Sequence, residues 1–155
     1  MQYVSSAGED EGCIFCDVLK DESAEHVLHR GEETFVLLNA FPYNTGHLMV
    51  APKRHIPELH DLSPSESARL MALTTTSVDL LREAMSPHGF NVGINLGSVA
   101  GAGIPGHLHV HVVPRWGGDT NYMAVVGATK VLPEMLHETA AKLRPLFAQL
   151  RADPG

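Results

Sequence analysis

Short apolar runs bounded by turn residues predict four β-strands in this chain. The runs cover residues 33–39, 47–52, 90–95 and 107–113. The first two are joined by the turn-rich residues 40–46, which predicts an antiparallel hairpin. The last two flank a glycine-rich loop, residues 96–106, and we expect them to lie side by side in one sheet.

Two segments predict helices. Ser63-Pro64-Ser65-Glu66 is typical of a helix start, with Ser63 as N-cap and Glu66 closing a capping box. This helix should run to about residue 85 and place one apolar face on the core, formed by Leu70, Leu73, Val78, Leu81 and Met85. Leu132-Pro133-Glu134 opens a second helix, which Pro145 should kink or split. Its core positions are Leu136, Ala140, Leu143, Phe147 and Leu150.

Composition narrows the class of protein. The chain has 155 residues, 44% of them hydrophobic, which suits a single domain over residues 12–155. The first 11 residues are small, polar and acidic, and we expect a flexible tail there. With 11 basic against 18 acidic residues, the net charge of −7 argues against nucleic acid or an anionic membrane as partner. No apolar run suits a membrane span, so we expect a cytoplasmic protein.

The most informative pattern is a row of alternating histidines. His107, His109 and His111 are interleaved with aliphatic residues, so on a strand they share one face of the sheet. Clustered imidazoles repel one another once they are protonated, and such clusters seldom occur without a function. Two interpretations follow, a metal site or a nucleophile with its helpers.

The nucleophile interpretation favours the middle residue, His109. Phosphoryl transfer through histidine needs a neutral nitrogen aimed at phosphorus, a partner that fixes its tautomer, and donors for the phosphate oxygens. His111, the Asn95 amide and backbone N–H groups of the glycine-rich loop around Gly103 could supply those donors.

Cys13 and Cys16, the only two cysteines, are spaced as Cys-x-x-Cys. A redox motif usually follows a strand, and none is predicted here, which favours a metal site. With His55 and one histidine of the row, the two thiols would make a closed, structural zinc site. The alternative is that both are ordinary buried thiols.

The sequence His107-Leu108-His109-Val110-His111-Val112-Val113 resembles the signature of the histidine triad family of nucleotide hydrolases and transferases. The similarity extends to Asn39, to the segment from Asn44-Thr45-Gly46-His47 to His55, and to Asn95 with the loop that follows. The continuation Pro114 to Tyr122 is similar to the bacterial diadenosine-polyphosphate phosphorylase and hydrolase branch. The resemblance implies an α+β fold, an antiparallel sheet with a long helix packed across it and a C-terminal helix, paired as a homodimer.

The resemblance also implies roles for individual residues. His109 matches the nucleophile that forms a nucleotidyl-histidine intermediate, and His111 matches the histidine that contacts the α-phosphate or leaving group. Asn95 matches a phosphate contact and Asn39 a ribose contact, while the adenine pocket corresponds to Ile14, Phe15, Val18 and Leu38. The zinc ligands implied are Cys13, Cys16, His55 and His107.

We therefore expect cleavage of a dinucleoside polyphosphate at its α-phosphorus, releasing AMP by hydrolysis or ADP by phosphorolysis, with no organic cofactor. The choice between the two acceptors stays open. Two alternatives also stay open: a purine nucleotide hydrolase similar to adenosine phosphoramidases, and a nucleotide- or zinc-binding interaction protein with little turnover.

Overall fold

The computed structural model describes residues 12–119 and 134–150, which adopt the expected α+β architecture. Five strands form one antiparallel sheet in the order β1-β2-β3-β5-β4. Their bounds are β1 Val27–Arg30, β2 Thr34–Leu38, β3 Leu48–Pro52, β4 Gly89–Ile94 and β5 Val110–Arg115. The predicted hairpin is confirmed, because β2 pairs with β3 from Thr34–Pro52 to Leu38–Leu48. The predicted pairing of β4 with β5 is confirmed as well.

The helices cover the two faces of this sheet unequally. They are α1 Ile14–Lys20, α2 Pro64–Met85 and α3 Leu136–Phe147. The larger core lies between the sheet and helices α2 and α3, and includes Val36, Val112, Leu73 and Phe147. The smaller core lies on the opposite face, where α1 packs on β2 and β3 through Phe15, Phe35 and Met49. The histidine row faces this second core, as the alternation predicts.

Helix α2 begins as predicted. The Ser63 hydroxyl accepts a hydrogen bond from the Glu66 N–H at 3.1 Å, and the Glu66 carboxylate accepts one from the Ser63 N–H at 2.8 Å. Two polar residues, Thr74 and Ser77, are buried on its apolar face. Each hydroxyl donates at 2.7 Å to the carbonyl four residues earlier, so neither donor lacks an acceptor.

The histidine strand differs from the prediction at both ends. It begins at Val110, because the Leu108 N–H donates to the Ile56 carbonyl instead of a ladder partner. It also continues beyond the predicted end at residue 113, through Pro114 to Arg115, where β4 still pairs with it. Pairing with β3 stops at Leu48–Val112, and the Pro114 carbonyl accepts from the Asn44 amide at 3.1 Å. The missing N–H of Pro114 therefore removes no bond of the sheet.

Two elements, α1 and β1, are absent from the sequence prediction. Helix α1 begins directly after Cys13 with no side-chain cap, and β1 is only four residues long. Helix α3 runs unsplit through Pro145 to Phe147. The predicted tail of residues 1–11, the motif end at residues 120–122 and the expected helix start at Leu132 and Pro133 lie outside the described residues. Within the described parts, no helix combines the length and apolar character needed to cross a bilayer.

Candidate active site

The three histidines of the row meet beside α1, at the start of β5. His107 is 1% exposed and His109 5%, while His111 is half-buried. The His109 and His111 rings lie edge to face, with their centroids 4.8 Å apart. The alternating spacing thus places the imidazoles next to one another on one face of the sheet.

A backbone contact fixes the tautomer of His109. Its Nδ1 lies 2.8 Å from the His107 carbonyl oxygen, which can only accept, so the ring proton is on Nδ1. The other ring nitrogen, Nε2, therefore carries a lone pair in the neutral imidazole. A nitrogen with this orientation is suited to attack an electrophile such as phosphorus.

A fourth histidine, His47, fixes the tautomer of His111. The Tyr43 N–H donates to His47 Nδ1 at 3.0 Å, so neutral His47 carries its proton on Nε2. That Nε2 lies 2.8 Å from His111 Nδ1 and donates to it. Neutral His111 must then carry its own proton on Nε2. The chain of bonds makes His111 a hydrogen-bond donor at a defined atom.

The turn before β3 brings His47 to this position. Gly46 has a φ of 80°, in the left-handed region. A Cβ at Gly46 would lie 2.8 Å from the Met85 sulfur and 3.2 Å from a carbon of Pro114. Only glycine satisfies both the dihedral and the close approach, so this turn can place fully buried His47 beside His111.

Burial favours the neutral form of both His109 and His111. Desolvation lowers the pKa of His109, against the opposing effect of its bond to the His107 carbonyl. Desolvation, with a smaller contribution from neighbouring His109, lowers the pKa of His111 to about 4. At neutral pH, His109 is thus available as a nucleophile, and His111 has the tautomer set by His47.

A second cluster lies next to the first and shares His107. Cys13, Cys16, His55 and His107 each offer one ligand atom, and all four atoms lie within 4.8 Å of one another. His107 Nδ1 lies 3.5 Å from the Cys13 sulfur and 3.6 Å from the Cys16 sulfur. His55 Nδ1 lies 3.5 Å from the Cys16 sulfur.

These distances match a tetrahedral zinc site. Zn–S bonds near 2.3 Å and Zn–N bonds near 2.0–2.1 Å at the tetrahedral angle place sulfur and nitrogen about 3.6 Å apart. His107 Nε2 donates to the Pro52 carbonyl at 2.8 Å, which leaves Nδ1 unprotonated and directed at both sulfurs. The residues present therefore fit a closed site of two thiolates and two imidazoles.

Phe15 connects the two clusters. It lies between the cysteines on α1, and its fully buried ring packs 5.1 Å from the His107 ring and 4.9 Å from the His109 ring. His107 connects them a second time, because its ring belongs to the thiol cluster while its carbonyl holds His109. The position of α1 thus bears directly on both the thiol cluster and His109.

Residues 20–118 match the family model described as the HIT domain, which is most of the chain. The chain belongs to the HIT family. This is the family whose signature the histidine row resembles.

Among relatives of this HIT protein, an AP-4-A phosphorylase of Mycobacterium tuberculosis is 49% identical over 123 residues. The match covers 79% of this chain but 63% of that protein, so the chain spans less than two thirds of the relative's length. An uncharacterized HIT-like protein of Methanocaldococcus jannaschii is 31% identical, over 69% of this chain and 81% of that one.

A solved structure supports the same assignment. The crystal structure of a Zn-bound histidine triad family protein from Mycobacterium smegmatis aligns with a TM-score of 0.73 at 27% identity. The alignment covers 91% of this chain and 96% of that one. The five-stranded sheet with its helices is therefore the HIT fold.

The residues predicted to hold adenine fall into two groups. Ile14, Phe15 and Val18 lie on α1, on the same side of the sheet as His109. Leu38 packs instead in the core beneath α2, on the opposite face. Leu37, next to it in sequence, faces the α1 side, because side chains alternate along β2.

The predicted polar contacts lie at the ends of strands. Asn39 follows β2, where its side-chain oxygen accepts from the Phe41 N–H at 2.9 Å and its amide nitrogen lies 3.5 Å from His47 Nδ1. Asn95 follows β4, and its amide donates to the Gly101 carbonyl at 3.4 Å. Gly103 lies exposed in the same loop, with open space where a side chain would be.

The sequence predicts no role for His47 or Tyr43. One signal for His47 is its place at the start of an otherwise apolar run, Leu48 to Pro52, where it is the only ionisable residue. Nothing in the sequence marks Tyr43, which acts through its backbone N–H and through its ring against His111.

Proposed function

We propose that this chain is an enzyme that cleaves dinucleoside polyphosphates, such as diadenosine tetraphosphate, at the α-phosphorus. The observation that carries this proposal is the arrangement of His109, a neutral and tautomerically fixed nucleophile beside a histidine donor. The likeness to an AP-4-A phosphorylase supports the choice of substrate class.

His109 is the proposed nucleophile. Its Nε2 lone pair forms a bond to the α-phosphorus, and the bond from phosphorus to the bridging oxygen breaks, with its electron pair leaving on the polyphosphate. The imidazole then carries a positive charge and keeps its Nδ1 proton, which the His107 carbonyl accepts at 2.8 Å. Water or inorganic phosphate displaces the histidine in the second step and releases AMP or ADP.

His111 and His47 assist this step. The Nε2 proton of His111 faces the reacting group and stabilises charge on a phosphate or leaving-group oxygen. His47 is a positioning residue, because it acts through His111 by holding that proton on Nε2. A water molecule could not fix the tautomer of His111 equally well, because His47 is fully buried and its ring is held by the Tyr43 N–H.

The transferred nucleotide binds between α1 and the ends of β2 and β4. Ile14, Phe15 and Val18 supply the apolar side of the base pocket, with Leu37 in the place expected for Leu38. Asn39 is assigned to the ribose. Asn95 and the backbone around Gly103 are assigned to the phosphates, because exposed glycine N–H groups can approach an anion closely.

Zinc held by Cys13, Cys16, His55 and His107 is the proposed metal, supported by the tetrahedral distances and by the Zn-bound relative. A four-ligand site leaves no open position, so zinc supplies folding free energy and not a reactive water. The two thiolates fix α1, and His107 transmits that order to His109 through its carbonyl. The site thus supports the nucleotide pocket and the nucleophile together.

A homodimer is the proposed assembly. Strand β4 lies at one edge of the described sheet, and Val92 at its centre is 50% exposed. Beside it, Leu59 is 46% exposed and Met71 on α2 is 68% exposed. An exposed strand edge next to apolar side chains is suited to pairing with a second copy of the same surface.

The covalent intermediate is the decisive test of function. Protein mixed with diadenosine tetraphosphate is quenched and its intact mass measured, and products formed with and without inorganic phosphate are separated by chromatography. We expect an AMP adduct on the wild type and none on His109→Ala, with turnover reduced by several orders of magnitude. Undiminished turnover by His109→Ala would show that another group or water attacks phosphorus. ADP that appears only with added phosphate would identify a phosphorylase.

A further inference from the structure

The turn between β2 and β3 presents an aromatic side chain at the active site. Tyr43 is 52% exposed, although one part of its ring packs on two histidines. Its ring lies 5.6 Å from the His111 ring at an interplanar angle of 25°, and 4.5 Å from the His47 ring. The ring thus packs on two imidazoles while about half of the residue stays open to solvent and to a ligand.

Tyr43 lies on the side where the leaving group departs. Phe15 and α1, which flank His109, are assigned to the nucleotide that is transferred. His111, the proposed donor to the bridging or leaving oxygen, lies next along the row, and Tyr43 stacks on His111. A polyphosphate chain that runs from His109 past His111 therefore leads to the Tyr43 ring.

We propose that Tyr43 is the stacking surface for the second nucleobase of a dinucleoside polyphosphate, an inference that rests on the function proposed above. An aromatic face accepts any base, since each base has a π-face, and such stacking depends on the ring and not on a hydroxyl. The site then selects substrates with two bases over mononucleotides. Specificity comes from a residue that touches the leaving half and takes no part in the bond-breaking step.

The matched substrates for the test are diadenosine tetraphosphate and adenosine 5′-tetraphosphate. They share the α-phosphorus, the first adenosine and the length of the phosphate chain, and differ in the second adenosine. The variants are Tyr43→Leu, which removes the ring, and Tyr43→Phe, which keeps the ring and removes the hydroxyl. Because Tyr43 is half exposed, both variants are expected to fold, and thermal unfolding checks this.

We expect Tyr43→Leu to lower kcat/KM for diadenosine tetraphosphate by about tenfold or more, within the range that loss of one base stack produces. Any loss that Tyr43→Leu causes through His111 is common to both substrates, so kcat/KM for adenosine 5′-tetraphosphate should fall about tenfold less, and Tyr43→Phe should keep the wild-type ratio of the two values. Equal losses on the two substrates would overturn the proposal, because Tyr43 would then act only by supporting His111. No loss on either would overturn it as well.

The same pair of ligands separates this inference from the proposed function. A wild type that cleaves neither ligand would refute the proposed function. Dissociation constants of both ligands, measured by calorimetry, would still test the inference. Weaker binding of diadenosine tetraphosphate alone to Tyr43→Leu supports the stacking surface, and equal binding by wild type and Tyr43→Leu refutes it.

Discussion

Replacement of His47 by phenylalanine tests whether His47 determines which nitrogen of His111 carries the proton. His47 is fully buried, and His47→Phe keeps an aromatic ring, a somewhat larger one, while it removes both nitrogens. The variant loses two short hydrogen bonds, the 2.8 Å bond to His111 Nδ1 and the 3.0 Å bond from the Tyr43 N–H, and with them the longer 3.5 Å contact of the Asn39 amide. His111 is then free to carry its proton on either nitrogen.

The size of the effect follows from these two bonds. Loss of one preorganised donor to a developing negative charge typically lowers kcat by about 10²–10³-fold. Since His47 acts only through His111, His47→Phe should lower kcat by nearly as much as His111→Ala does, and by no more. The Tyr43 N–H left without an acceptor should lower the free energy of unfolding by about 1–3 kcal/mol.

The assay is a double-mutant cycle on kcat for diadenosine tetraphosphate, with urea unfolding measured for each variant. We expect the double variant His47→Phe/His111→Ala to be no slower than His111→Ala alone, because residues that act as one unit are not additive. KM should change little. Losses that multiply, to about 10⁴-fold or more, would refute the reasoning, since His47 would then contribute independently of His111.

Three further predictions concern stability and assembly. Cys13→Ser should lower zinc, measured by elemental analysis, from about one per chain to near zero and should lower the melting temperature, since a structural site contributes to folding; full stability without zinc contradicts this. The pKa of Glu66 is lowered to about 2 by its hydrogen bonds from Arg54, so the ion pair should stabilise the fold above pH 4.5 and be lost as the pH falls toward 2. In urea titrations at pH 7, Glu66→Gln should lower the free energy of unfolding by about 2 kcal/mol, less than the full pKa shift implies because solvent screens the exposed Arg54. In acid, the free energy of unfolding of Glu66→Gln should depend less on pH than that of the wild type; equal slopes against pH would refute this. Light scattering should give a dimer mass for the wild type and a monomer mass for Val92→Lys; a wild-type monomer at micromolar concentration contradicts the assembly.

The parts of the fold that were predicted correctly depend on local rules. The histidine row alternates with Leu108, Val110 and Val112, and the structure buries those aliphatics beneath α2 while the imidazoles face α1. The start of α2 was predicted because a capping box satisfies backbone groups within four consecutive residues. Such patterns need no knowledge of distant parts of the chain.

The errors arise where a distant contact outweighs the local pattern. A proline normally ends a strand, yet β5 continues past Pro114 because β4 pairs with it as far as Gly89–Arg115, while the Asn44 amide, 70 residues away in sequence, donates to the Pro114 carbonyl. Helix α1 has seven residues and no side-chain cap, so local propensity alone would not hold it. It is held by tertiary packing of Phe15 and by the thiol cluster.

The same reasoning explains why His47 was missed and why it belongs to the site. A single histidine at the start of a strand carries no periodic signal, and its importance comes from a partner 64 residues later, His111. The sheet order creates this contact, because β3 lies directly beside β5 and Met49 pairs with His111. Antiparallel pairing brings the residue before β3 to the histidine row. The register of the two strands thus determines which nitrogen of His111 carries a proton. Since the proposed reaction needs that proton on Nε2, it depends on the topology of the sheet.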